Sequence, residues 1–146
     1  MAITSAICNS FKQEILEAEH NFTASTGNTF NLALYDSDAS LGAGTTAYTT
    51  SEEITNTSGT AYSAKGKALT SVTPTLDSST AVCDFADVSW TSASFTARGC
   101  LIFNDSHSTD AAVCAIAFGG DKTATSGTFT IQFPAAAAST AIIRIA

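Results

Sequence analysis

The apolar positions divide the chain into one stretch of helical period followed by a series of short alternating stretches. Near the start Ile3, Ile7, Phe11 and Ile15 recur every fourth residue, joined by Leu16, while Lys12, Gln13, Glu14 and Glu17 take other faces. This spacing predicts an amphipathic α-helix over about residues 4–19, capped by Thr4 or Ser5, with 21–28 as its exit loop. Such a helix has two placements. It packs across the open end of a sheet, or it projects and docks on a partner through Ile7 and Phe11.

The rest reads as strands. Phe30, Leu32 and Leu34 alternate within Thr29–Asp36, and the Gly-, Ser- and Ala-rich stretch 37–46 is a loop. Residues 48–60 are polar and unassigned, with Glu52, Glu53 and Ile54 suiting either a helical turn or an edge segment. A strand over 61–70, interrupted by Gly66 and with Lys65 and Lys67 pointing outward, reads as an edge, because lysines discourage sheet-to-sheet pairing. Val72–Leu76 is extended around Pro74, again as an edge, and Asp77–Ser79 is a turn.

The stretch Ala81–Asn104 holds the sole tryptophan, Trp90, and two of the four cysteines. Ala81, Cys83 and Phe85 alternate with Val82, Asp84 and Ala86. Val88 and Trp90 then carry the apolar series on even positions, which predicts a bulge or bend near Ala86–Asp87. After a turn at Thr91–Ser94, Phe95, Ala97, Gly99, Leu101 and Phe103 form one face. Cys100 and Ile102 make the opposite face apolar too, so this strand is expected at the centre of a sheet. Beyond a polar loop at 105–110, strands are expected at Ala112–Phe118, Thr128–Phe133 and Thr140–Ile145. A loop at 119–126 separates the first two, Pro134 ends the second, and Ala141, Ile143 and Ile145 share one side of the last. About eight short strands after one helix predict a single domain, 1–146. Residues 1–20 carry the N-terminal α-helix and 29–146 an antiparallel β-sandwich of jelly-roll or immunoglobulin-like type.

Only 13% of the chain is charged, against roughly a quarter in ordinary soluble domains, which points to a surface facing neighbours. The net charge of −7 with six scattered basic residues argues against nucleic-acid binding, which needs Lys and Arg clustered on phosphates. No apolar run approaches the length of a membrane helix. Charges at Lys12, Glu14, Glu17 and Glu19 stand where a secretory signal needs an apolar core, so the expectation is a chain made in a cytoplasm.

Candidate chemistry is sparse. Cys8, Cys83, Cys100 and Cys114 form no C-x-x-C pair and sit on apolar faces, as reduced buried thiols do. Cys83, Cys100 and Cys114 are nonetheless candidates to neighbour one another in a sheet. His20 and His107 are the only imidazoles. Ser106, His107 and Ser108 lack the strand–turn–helix elbow of a nucleophile, so both histidines read as solvated loop residues and no catalytic group is assigned. Asp36 and Asp38 lack the remaining ligands of a calcium loop and read as an Asx turn. Glu52–Glu53 and Glu14/Glu17 read as solvated faces. No cofactor or metal site is expected. Arg98 lies mid-strand, with Asp84 or Asp87 within reach, and serves either a structural ion pair or a contact between subunits.

Three segments carry a resemblance: the opening MAITSAICNSFKQEILEAEHNFTASTGNTFNLALYDS, the core ADVSWTSASFTARGCLIFN and the ending GGDKTATSGTFTIQFPAAAASTAIIRIA. Together they resemble small virion structural proteins of tailed bacteriophages. The resemblance implies a non-enzymatic particle component, foremost a capsid decoration (cement) protein on the outer surface of the head. Its expected partners are the major capsid protein and its own copies, as a homotrimer, with no nucleic acid and no membrane. Ile7, Phe11 and Arg98 are then the candidate interface residues. A tail-fibre, spike or head-fibre module binding host glycans or proteins through loops 37–46 or 105–110 is the alternative, with Tyr35, Tyr48 and Tyr62 as its candidate aromatics. A tail-completion or tail-tube protein is the third reading.

Overall fold

In a computed structural model of the chain, described over residues 2–54 and 61–146, two antiparallel sheets form a β-sandwich with one short N-terminal helix. The strands are β1 (Ala6–Ile7), β2 (Phe30–Tyr35), β3 (Lys67–Ala68), β4 (Ser71–Asp77), β5 (Thr80–Phe85), β6 (Val88–Asn104), β7 (Ala111–Ile131) and β8 (Ile143–Ile145). The larger sheet has the order β1-β7-β6-β2-β3 and the smaller one β4-β5-β8. Of the region left unassigned by sequence, 55–60 lies outside the described residues.

β6 stands in the middle of the larger sheet, as its two apolar faces require. Its register places Cys100 and Ile102 beside Leu34 and Leu32 of β2, and beside Ile116 and Cys114 of β7. That side meets the smaller sheet: Phe30 stacks on Phe22 at 4.2 Å and lies 6.0 Å from Phe85 of β5. Leu101 and Phe103 point the other way with Ala33, and are covered by irregular chain. Tyr48 stacks on Phe103 at 4.8 Å, and the Tyr35 hydroxyl donates to the Thr49 carbonyl at 2.7 Å. The approach on this side is close. A Cβ on Gly99 would stand 2.8 Å from Ile3 Cδ1 and 2.6 Å from the Ile116 carbonyl.

Several sequence expectations are corrected. The helix, α1, covers only Asn9–Glu14; its N-cap is Cys8, with no side-chain cap, in place of Thr4 or Ser5. Ile3 bridges to Leu41, and Ile7 pairs with Cys114 in β1, so the chain is extended where a helix was expected. The change of phase near Ala86–Asp87 is a full break, across which the chain leaves the small sheet for the large one. Thr91–Ser94 is no turn: β6 runs through it with a register irregularity, Ser92 taking φ 54°. Residues 119–126 are no loop either. They belong to the single strand β7, which carries extra residues between Ala117 and Lys122, where β6 advances only from Gly99 to Ala97. The alternation expected in β5 is imperfect, since Val82 and Phe85 are both buried. In β8, Ile143 is buried but Ile145 is bare. The strand expected over 61–70 shrinks to Lys67–Ala68 and that over 140–145 to Ile143–Ile145, while β3 and β4 do lie at sheet edges as expected.

α1 packs on its own domain. Phe11 is 3% exposed and meets His20 at 4.9 Å and Phe22 at 6.0 Å. Truncating it therefore empties core volume. Phe11→Ala is expected to lower unfolding free energy by about 3–5 kcal/mol, read from urea denaturation followed by Trp90 fluorescence. A loss under about 1 kcal/mol would place the ring outside the core.

Candidate functional site

Two clusters of polar side chains are assembled by the fold. The first is centred on Glu53, which bridges to Tyr35 of β2 and is only 8% exposed. Its carboxylate accepts from the Tyr62 hydroxyl at 2.6 Å, the Tyr48 hydroxyl at 2.5 Å and the Lys65 backbone N–H at 2.8 Å. The Tyr62 oxygen in turn accepts from the Leu34 N–H at 3.0 Å. Glu53 was expected on a solvated face; only Glu52 is exposed. A buried carboxylate is stable where its lone pairs are filled, and three donors do this here. Burial, with the Glu53 hydrogen bond second, pushes the Tyr48 phenol up to about 12. Tyr62 is raised by the same two causes, and Tyr35 by burial and then the Glu53 charge. The phenols stay protonated, as donors to Glu53 and to the Thr49 carbonyl, and this cluster is a structural clasp. Lys65 closes its rim with ion pairs to Asp110 at 2.8 Å and Asp105 at 2.9 Å, which raise its ammonium pKa.

The second cluster brings both histidines together. His20, expected in solvent, is 7% exposed. Its Nε2 lies 2.8 Å from Glu14 Oε2, and Asn104 Nδ2 lies 3.1 Å from its Nδ1. The Asn104 Oδ1 accepts from the Ser106 N–H, which fixes the amide orientation. Nδ1 is therefore the acceptor and Nε2–H donates to Glu14. His107 stacks over His20 with centroids 6.3 Å apart and its Nε2 3.4 Å from Glu19 Oε2. Beside them lies a polar depression of about 330 Å³, lined by Glu19, Asn28, His107 and Ser108. The Ser106 Oγ accepts from the Thr29 N–H at 2.8 Å. The imidazoles tie the helix exit to the 105–110 loop.

The thiols are equally spent. Cys8, Cys100 and Cys114 are buried and reduced. Burial raises Cys8 to about 11 and Cys114 to about 12, and holds Cys100 well above the usual thiol range. Cys100 and Cys114 are diagonal neighbours across β6 and β7, but the third member of the group is Cys8, beside β7, and not Cys83, which stands in the other sheet. Asp36 Oδ1 accepts from the Asp38 N–H at 2.9 Å, the expected Asx turn. Carboxylate oxygens of Asp36, Asp38 and Glu52 lie within 4.8 Å of one another. This is the one group among the described residues with the oxygen donors a hard cation prefers; it is largely exposed.

Of the candidate interface residues, Phe11 lies in the domain's own core and Ile7 is half-buried against it. Arg98 stays outside, but its partner is Asp121 at 2.7 Å, in place of Asp84 or Asp87. Those two acids bond the backbone N–H groups of Phe85 and Phe133. The Arg98 pair raises the guanidinium pKa and lowers that of Asp121 through their hydrogen bond.

What the fold leaves outward is mostly uncharged. No charged residue occurs between Lys122 and Arg144, and much of that segment is exposed. Every residue of β4 after Ser71 is exposed, including Val72 at 44% and Leu76 at 73%. The Glu53 clasp could have been suspected from Tyr48 and Tyr62, whose hydroxyls need acceptors once their rings are buried. No protein-family model, curated protein or solved structure matches the chain.

Two outcomes follow from the clasp. Glu53→Ala orphans the buried Tyr62 hydroxyl and is expected to cost about 1–3 kcal/mol for that group, measured by chemical denaturation; an unchanged midpoint would remove the clasp's structural role. Tyr48 holds its proton more tightly folded, at about 12, than unfolded, at about 10. Above pH 10 the unfolded chain binds fewer protons, so this stability is complete below pH 10 and is lost as pH rises through about 12. Phenolate absorbance and far-UV circular dichroism should therefore change together, above the ordinary tyrosine range. Phenolate appearing near pH 10 with the fold intact would contradict the burial.

Proposed function

We propose that this chain is a structural protein of a bacteriophage particle, and specifically a decoration protein that binds the outside of the head and clamps adjoining major capsid subunits. The observation that carries the reading is the nearly uncharged outward surface of the sandwich, β4, whose one charge is Asp77, together with the segment between Lys122 and Arg144. A solitary soluble domain covers itself with charge to stay dispersed; a lattice component buries small uncharged surface against its neighbours. The sequence resemblance supports the same reading. So does the use of His20, three cysteines and Glu53 inside the fold, where they hold loops and core together.

As a mechanism, clamping needs no chemistry. Each copy lays a rigid face across a joint between capsid subunits, and contact area lost on opening the joint resists internal pressure. Individual contacts of ordinary size suffice, because the lattice repeats them many times. The rigid face comes from the doubly covered central strand, and the docking surface from side chains that the core does not use.

Copy number tests the reading. Densitometry of purified particles is expected to give hundreds of copies of this chain per head. Adding the purified chain to heads that lack it should raise the temperature at which they release DNA. A count of a few to a few tens, with no gain in head stability, would overturn the decoration role and favour a tail or fibre module.

A further inference from the structure

We draw no further inference here: the strongest candidate, the apolar groove of about 580 Å³ beside β7 between Phe118, Phe129 and Ile142, carries nothing because nothing in the structure shows what covers it.

Discussion

Residues 99–104 of β6 are apolar on both sides, and a strand in that position has to be covered twice. Desolvating both faces is favourable only if neither cover leaves backbone or side-chain polar groups without partners. The two covers solve this differently. On one side the small sheet brings Phe85 and Ile143, with Phe22 and Phe11 from the N-terminal region, onto Phe30, Leu32 and Leu34. Those elements satisfy much of their own backbone through ladders and helix turns. On the other side the cover is irregular chain from Leu41 to Ile54, together with Ile3. Irregular chain has no ladder of its own, so its polar groups must be met one by one.

That asymmetry explains why the buried polar network lies where it does. Glu53, Tyr35, Tyr48 and Tyr62 fasten the irregular cover to β2, and Lys65 with Asp105 and Asp110 fastens the far rim. The histidine cluster does the same work at the helix exit, where Asn104 at the end of β6 holds His20, Asn28 and the Glu19 carbonyl. In a chain so poor in charge, much of the ionic chemistry is committed to these fastenings.

The fold class was legible because alternation survives wherever one face of a strand is buried, as at Phe30, Leu32 and Leu34, and the central place of β6 followed from its two apolar faces. The helix was misjudged for a specific reason. A spacing of four is close to one helical turn, but it is also an even number, so residues four apart share a face in an extended strand too. Ile3 and Ile7 use the second meaning and Phe11 uses the first. The long β7 was hidden because Gly119, Gly120 and Ser126 read as loop residues, yet extra residues can be absorbed into a ladder as bulges without ending it. Glu53 was invisible because burial of a carboxylate is a tertiary fact: the sequence shows two adjacent glutamates, and only the bridge to Tyr35 turns one inward. Cys8 was left out of the thiol neighbourhood because its expected helix would have lifted it away from β7.

The same economy bears on what the surface is for. The side chains that fasten the covers, Glu53 and His20 foremost, are spent on the fold itself. Outside, on β4 and along the segment beyond Lys122, threonine, serine, alanine and a few bare aliphatics predominate. Small uncharged side chains lose little conformational entropy when ordered against a neighbour, and they carry no charge to desolvate. Such a surface is a poor reader of soluble ligands and a good floor for broad, flat contact.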